Sequence, residues 1–113
     1  MIRDDAVYLH HILDAINRIE EYVSGLNHEG FMRSSLVQDG VIRQIEIIGK
    51  ATKNLSPALK ERYPSIPWKD IAGMRDKLIH QYFGVDISAV WETVAQDLPD
   101  FKIQIGGILS SVS

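Results

Sequence analysis

Apolar residues recur every three or four positions through most of this chain, and that spacing restricts its fold more than any other feature. Because an α-helix turns once in 3.6 residues, residues spaced in this way fall on one face of a helix. No stretch shows the strict apolar and polar alternation of a half-buried strand, and no internal repeat is present. The pattern therefore predicts an all-α protein.

The first two periodic segments predict long amphipathic helices. One spans residues 4–26, begins with aspartates that the helix dipole favours, and is broken by the polar cluster at 27–30. The other begins at Ser34 or Ser35, either of which can cap a helix, and runs to about residue 55. Its apolar stripe is wider than one neighbouring helix would cover. The polar row opposite that stripe is interpreted as a solvated face, and it consists of Asp39, Arg43, Glu46, Lys50 and Lys53.

Two further helices are predicted between residues 56 and 82. A short one has Ser56 as its cap and Pro57 in its first turn, and it closes at residues 63–64. After a brief rigid linker, Trp68 leads a helix that continues to about Tyr82. Its apolar positions form one face, which should pack against the rest of the protein.

The last segment is predicted to be helical from a cap at Asp86, after a turn at Gly84, towards the end of the chain. Its apolar stripe stays in phase across Pro99, which indicates one helix kinked at Pro99 or two helices that nearly continue each other. The predicted fold is an antiparallel helical bundle of four long helices plus one short helix, in a single domain over residues 1–113.

Composition narrows the class of protein. A chain of 113 residues has room for one domain with a core, and the absence of cysteine excludes disulfides and thiolate metal sites. No spacing joins His10, His11 or His28 to a set of carboxylates, so no metal site is expected. The chain has neither a membrane-spanning apolar run nor a secretory start, and a cytoplasmic protein is the default expectation.

Charge is distributed unevenly along the chain. Between residues 43 and 77 there are eight basic and four acidic residues, which gives this segment a charge of +4. Because the net charge of the chain is −3, the rest of the chain carries −7. This asymmetry fits a local contact with a polyanion. It also fits lysine-rich helix faces that are simply solvated.

The residues that best suit chemistry lie between positions 75 and 82. Arg75 can grip a phosphate through two parallel hydrogen bonds, and His80 can take and give a proton near neutral pH. On an ideal helix Arg75 and Tyr82 are about 20° apart, near the centre of the apolar stripe, whereas His80 falls roughly opposite. Arg75 and Tyr82 would then need polar partners or lie at the edge of an interface. His80 could reach the same phosphate only if the helix end distorts or if a second copy, related by twofold symmetry, brings arginines and histidines into one cleft. Alternatively, Arg75, Asp76 and His80 are surface residues and Tyr82 is a packing aromatic.

The same residues resemble the HEPN superfamily, whose signature is R-x(4–6)-H on a helix of a small all-α bundle. More specifically, the chain is similar to the HepT-like toxins of bacterial and archaeal toxin-antitoxin pairs, whose R-x-x-x-x-H-x-Y motif is matched by Arg75, His80 and Tyr82. The resemblance also covers residues 47–51, 66–74, 91–94 and 97–99, so it extends over essentially the whole chain. Lys50 is a departure, because relatives often carry glutamate there.

This resemblance implies a homodimeric, metal-independent endoribonuclease toxin that needs no cofactor and is neutralised by a minimal nucleotidyltransferase antitoxin, usually encoded beside it. By the same resemblance, His80 would be the general base or acid in attack of a ribose 2′-hydroxyl on the adjacent phosphorus, and Arg75 would stabilise the developing charge. Tyr82 would be the position that the partner adenylylates. Asp76 and Lys77 are secondary site candidates, Asp76 by orienting Arg75 or by repelling a second phosphate.

A different class of function also fits the sequence. In this alternative the bundle is a non-catalytic module that dimerises and binds a nucleotidyltransferase, and Arg75 and Tyr82 recognise a nucleotide or a partner surface. The acidic net charge of −3 favours this alternative, because an enzyme that cuts RNA usually gains from a basic approach.

Overall fold

Helices dominate the computed structural model, which describes residues 3–80 and 84–112. Two short strands and one π-helical turn, Thr93–Asp97, interrupt them. The helices are α1 (Arg3–Val23), α2 (His28–Met32), α3 (Ser35–Lys53), α4 (Pro57–Arg62), α5 (Trp68–Ala72), α6 (Met74–Leu78), α7 (Ile87–Glu92) and α8 (Leu98–Val112), and the strands are β1 (Ile79–His80) and β2 (Gly84–Val85). The predicted all-α class is confirmed.

Helix α3 lies at the centre of the packing. It contacts α1 most extensively, and it also contacts α5 and α6, while α8 packs against α1. The wide apolar stripe predicted for this segment is confirmed, since Val41, Ile45 and Ile48 are all almost completely buried. Burial of one aliphatic side chain is worth about 1.5–3 kcal/mol, so this stripe contributes much of the driving force for folding.

Three of the predicted helix starts are confirmed by side-chain caps. The Ser34 hydroxyl accepts a hydrogen bond from the backbone N–H of residue 37 at 3.3 Å, and Ser56 accepts one from residue 59 at 3.2 Å. The Asp86 carboxylate accepts one from residue 89 at 3.0 Å. Each cap satisfies an N–H group that the helix itself leaves unpaired. The local sequence therefore sets where α3, α4 and α7 begin.

The break predicted at residues 27–30 contains a helix instead. Helix α1 ends at Val23, Gly25 has a φ of +79°, and α2 then begins at His28 with Asn27 as its cap. A helix of five residues is too short to show periodicity. It forms because Phe31 is fully buried and its ring centroid lies 5.2 Å from that of Trp91.

The helix predicted over residues 68–82 is divided at Gly73. Trp68–Ala72 and Met74–Leu78 are separate short helices, with Gly73 between them. Glycine costs about 1 kcal/mol relative to alanine inside a helix, so a change of direction is least costly at this residue. The fourth long helix of the predicted bundle is thus two short ones.

The same segment ends in a strand rather than in a helix. β1 pairs with β2 in an antiparallel register that places Ile79 opposite Val85 and His80 opposite Gly84. Gly84 has a φ of +80°, which favours glycine, so the predicted turn glycine is confirmed. The end of the predicted helix at Tyr82 lies outside the described residues. Ile79 is β-branched, and such residues favour an extended chain over a helix.

The last predicted helix contains a π-helical turn. Residues Thr93–Asp97 form this turn directly before α8, and Pro99 is the second residue of α8. A proline cannot donate to the carbonyl four residues earlier, that of Ala95, and its ring crowds that carbonyl. A wider turn at this point relieves the crowding, which explains why the irregularity precedes Pro99. Among the described residues, no helix is both long and apolar enough to cross a membrane.

A buried carboxylate ties the start of α1 to the start of α4. Asp5 is only 2% exposed, and its two oxygens accept hydrogen bonds from the backbone N–H of Ser56 at 2.8 Å and from the Ser56 hydroxyl at 2.6 Å. The sequence suggested only a dipole role for the aspartates here. The structure adds a tertiary contact, because the residue that caps α4 is also the partner of Asp5.

Replacing Asp5 should destabilise the fold. Asp5→Ala removes two hydrogen bonds to an ionised group and leaves a part-buried N–H without its acceptor, so we expect the free energy of unfolding to fall by about 2–3 kcal/mol. Urea denaturation followed by circular dichroism measures this change. Asp4→Ala is the matched control, because Asp4 is exposed in the same helical turn. Equal losses for both variants would contradict a special role for Asp5.

Candidate functional site

Arg75 lies at the rim of the packed helices. The neighbouring Met74 and Leu78 are buried, whereas the Arg75 side chain is 47% exposed. Arg75 was expected near the centre of the apolar face, where it would need polar partners. Its half-exposed side chain instead lies at the edge of that face, with Nε 3.6 Å from Glu46 Oε1 of α3. Asp76 adds a second carboxylate, with Oδ1 at 3.7 Å from Arg75 Nη1. Arg75 is therefore held between carboxylates from α3 and from its own helix.

These two ion pairs orient Arg75 without using up its hydrogen-bonding capacity. Both distances exceed the roughly 2.7–3.2 Å typical of a direct N–H to oxygen hydrogen bond. A guanidinium has five N–H donors, and half-exposed ion pairs of this kind are worth at most about 1 kcal/mol. A phosphate could therefore take up donors of Arg75 at little cost.

Gly49 determines how closely α5 approaches α3. A Cβ atom on Gly49 would lie 3.3 Å from the carbonyl oxygen of Ala72, the last residue of α5. Such a contact is tighter than ordinary van der Waals packing, so a larger residue would push the two helices apart. Because α6 starts two residues after Ala72, this approach also places Arg75 beside Glu46.

A cleft of about 320 Å³ opens where α3 passes the junction of α5 and α6. Three cationic and two anionic side chains surround it, so the lining carries a net charge of +1. The lining residues are Glu46, Gly49, Lys50, Lys53, Ala72, Arg75 and Asp76. On its other side Arg75 borders a small apolar depression formed with Ile42, Ile45, Leu78 and Val85. Arg75 thus stands between a charged cleft and an apolar one.

His80 is not on the helix that carries Arg75. Helix α6 ends at Leu78, and the backbone of His80 belongs to β1, opposite Gly84. The predicted placement of His80 opposite Arg75 assumed 100° per residue, and that rotation does not apply to an extended strand. Tyr82 lies outside the described residues. The catalytic role of His80 and the modification of Tyr82 stay predictions.

The two secondary candidates, Asp76 and Lys77, lie on different sides of α6. Asp76 shares the cleft with Arg75, whereas Lys77 borders a different cavity of about 480 Å³. Lys77 Nζ lies 3.4 Å from Asp70 Oδ1, and Asp97 and Asp100 border the same cavity. Lys77 is therefore on the acidic side of α6.

Sequence reasoning missed Glu46, Lys50 and Lys53 as site residues. They were interpreted as part of a solvated face. Their spacing of four and then three residues places them on one side of α3, which was the available signal. Only the packing of α5 and α6 against α3 shows that this side borders Arg75.

The all-α fold, an exposed Arg75 at the start of α6 and His80 five residues later agree with the R-x-x-x-x-H signature of the family that the sequence resembles. A family model described as "Ribonuclease HepT-like" matches residues 12–108, which include both residues. The chain belongs to the HepT-like ribonuclease family.

Two relatives illustrate how far the similarity extends. A Methanocaldococcus jannaschii protein named "Gamma-glutamylcyclotransferase and putative RNase" is 47% identical over 112 residues, which are 99% of this chain and 50% of that protein. The chain thus spans about half the length of this relative. A Thermococcus cleftensis protein named "Probable ribonuclease HepT" is 46% identical over 102 residues, 90% of this chain and 93% of that protein. No solved structure matches the chain.

The close approach of α5 to α3 at Gly49 can be tested by replacing two glycines with alanine. Gly49→Ala gains about 1 kcal/mol of helix propensity but forces an overpacked contact that typically costs about 1–3 kcal/mol, so we expect a net loss of about 1 kcal/mol in unfolding free energy. Gly106→Ala is the control, because a Cβ there meets nothing within 4 Å, and it should stabilise α8 by about 0.5–1 kcal/mol. Urea denaturation measures both. A stability gain in both variants would show that α3 and α5 are not tightly apposed.

Proposed function

We propose that this chain is the toxin of a type VII-like toxin-antitoxin pair: a metal-independent endoribonuclease that cuts RNA at a site shared by two subunits. A minimal nucleotidyltransferase antitoxin would neutralise it by adenylylating Tyr82. The observation that carries the ribonuclease part is the family match over residues 12–108, which spans both Arg75 and His80. The relatives named as ribonucleases support it. Both the RNA and the antitoxin would be met in the cytoplasm.

The proposed chemistry uses the ribose 2′-hydroxyl as nucleophile. His80 would accept the 2′-hydroxyl proton, or donate a proton to the leaving 5′-oxygen, while the 2′-oxygen attacks the adjacent phosphorus. The P–O5′ bond breaks, which leaves a 2′,3′-cyclic phosphate and a 5′-hydroxyl. Arg75 would stabilise the negative charge that develops on the phosphoryl oxygens. DNA lacks the 2′-hydroxyl and would not be cut.

The exposure of Arg75 supports a site that a second subunit completes. With 47% of its side chain accessible and its two carboxylate partners held loosely, Arg75 can meet a phosphate from outside the subunit. A homodimer with twofold symmetry would supply two such arginines and two histidines to one groove. In that arrangement His80 acts on a phosphate held by Arg75 of either subunit.

Adenylylation of Tyr82 would silence the site through bulk and charge. Tyr82 lies two residues after His80 in the sequence, so an AMP group on it would be attached close to the proposed proton carrier. Its phosphate would repel the RNA backbone, and its nucleoside would occupy space that RNA needs. The partner would thereby neutralise the toxin covalently.

A non-catalytic module that works with a nucleotidyltransferase is the second candidate. The net charge of −3 and the two carboxylates around Arg75 favour it, because both oppose a dense contact with RNA. In this case Arg75 would recognise one nucleotide or a partner surface rather than a phosphate in reaction.

Cleavage by purified protein separates the two candidates. In the presence of EDTA, wild type should cut RNA, His80→Ala should lose about 10²–10⁴-fold in rate and Arg75→Ala about 10²–10³-fold. Product ends identified by mass spectrometry should carry 2′,3′-cyclic phosphate. Arg62→Ala, an exposed arginine of α4 outside the cleft, is the matched control and should retain full activity. Wild type that binds a nucleotidyltransferase but cuts no RNA would establish the module instead.

The covalent switch is tested by intact-mass measurement. When the chain is co-produced with a nucleotidyltransferase encoded beside it, we expect the mass to rise by one or more AMP groups and RNA cleavage to be lost. Tyr82→Phe removes the acceptor hydroxyl and should abolish the increment, whereas Tyr22→Phe, at an exposed tyrosine of α1, should not. An unmodified Tyr82 in an inactive complex would instead indicate inhibition by occlusion.

A further inference from the structure

Two lysines share the cleft with Arg75. Lys50 and Lys53 are three residues apart in α3, so they lie on the same side of the helix, and both are exposed. Both border the cleft of about 320 Å³ whose opposite wall carries Arg75. Three cationic side chains from two helices therefore converge on one cavity.

The carboxylates of the cleft are directed to Arg75 and not to the lysines. Glu46 and Asp76 lie 3.6 and 3.7 Å from the Arg75 guanidinium. Within the described part of the chain, none of the ion pairs involves Lys50 or Lys53. Lys77 and Lys102, by contrast, are paired with Asp70 and Glu20. The positive charge of the cleft thus comes from Lys50 and Lys53.

The lysines are also not needed to cap α3. The carbonyl of Lys50 accepts hydrogen bonds from the Asn54 side chain at 2.9 Å and from the Asn54 N–H at 3.3 Å. The carbonyls of residues 51 and 52 accept from the N–H groups of Asn54 and Leu55. Because backbone and Asn54 donors already satisfy these helix-end carbonyls, the two ammonium groups can point to a ligand.

The floor of the cleft leaves room for an anion. Gly49 and Ala72 line the cleft without long side chains, and a volume of about 320 Å³ lies among Lys50, Lys53 and Arg75. A cavity of about 320 Å³ exceeds the volume of one phosphate group and is in the range that binds small ligands. A second phosphate of the same strand would fit the remaining space better than a compact neutral group, given the three cations.

We propose that Lys50 and Lys53 together bind a phosphodiester of the RNA chain adjacent to the one held by Arg75. This inference rests on the proposed ribonuclease function and adds a subsite to it. Each lysine donates to the same non-reacting phosphate, which fixes the strand along α3 and sets which bond faces Arg75. The subsite requires RNA with more than one phosphodiester.

Substrate length provides the sharpest test. For a tetranucleotide of mixed sequence, Lys50→Gln/Lys53→Gln should lower kcat/KM about tenfold, mostly through KM, because two ion-pair contacts of exposed lysines are lost, and such contacts are weak. For a dinucleoside monophosphate, which has one phosphodiester, the same variant should stay within about twofold of wild type. Lys60→Gln/Lys69→Gln is the matched control: it removes two charges from the same basic stretch, but these lysines border a separate cleft.

A binding measurement applies even to RNA that is not cut. An octanucleotide with 2′-O-methyl riboses has no nucleophile, and its affinity for wild type should fall with salt. In Lys50→Gln/Lys53→Gln the slope of log Kd against log salt should decrease by about 0.7, the value for one phosphate contact on a single strand. The control pair should leave the slope unchanged.

The outcomes distinguish the subsite from the function on which it rests. If wild type cuts RNA and the Lys50→Gln/Lys53→Gln variant cuts the tetranucleotide equally well, the subsite is refuted and the ribonuclease stands. Equal losses in the two lysine pairs would show a general charge effect and also refute the subsite. If wild type neither cuts RNA nor binds the methylated strand, the proposed function itself fails.

Discussion

The contact between Gly49 and the carbonyl of Ala72 determines where Arg75 lies relative to α3. A Cβ atom on Gly49 would be only 3.3 Å from that carbonyl oxygen, so the backbone of α5 rests almost directly on α3. The chain then turns at Gly73 and starts α6 beside Glu46, so Arg75 meets a carboxylate of α3 at 3.6 Å. A wider spacing between α3 and α5 would move Arg75 away from Glu46, Lys50 and the cleft that they share. The distance between α3 and α5 therefore sets the position of Arg75 relative to the cleft.

Local signals made much of this fold predictable. Ser34, Ser56 and Asp86 start helices because each side chain satisfies an N–H group next to it in sequence, and such contacts need no tertiary information. Helix α2 was missed because one turn is too short for periodicity and its stability comes from Phe31 against Trp91, sixty residues away. The helix predicted to reach Tyr82 was too long, since a break at Gly73 and a strand pair with residues 84–85 depend on competing preferences that a helical pattern does not reveal.

The residues of the candidate site also differ in how far the sequence predicts them. Arg75 stands out in the sequence because its spacing to His80 matches a known motif, and the comparisons confirm the family. Glu46 and Lys53 match no motif, and Lys50 was noted only as a departure from the glutamate that relatives often carry. An i, i+4, i+7 row of charges is the normal outer face of an amphipathic helix, and only the docking of α5 and α6 makes it the wall of a cleft. The charge excess over residues 43–77 fitted either a polyanion contact or solvated helix faces, and it could not indicate which cations share one cavity.

Charge is distributed unevenly around α6, in a chain whose net charge is −3. One side of α6 borders Lys50, Lys53 and Arg75, and the other borders Asp70, Asp97 and Asp100, with Lys77 already paired to Asp70. Charges act over about 8–10 Å at physiological salt, so a phosphate responds to the side it approaches and not to the net charge. In the proposed function, the acidic side would repel an RNA strand that the cationic side would attract. The same helix would then both present Arg75 and restrict the side from which RNA reaches it.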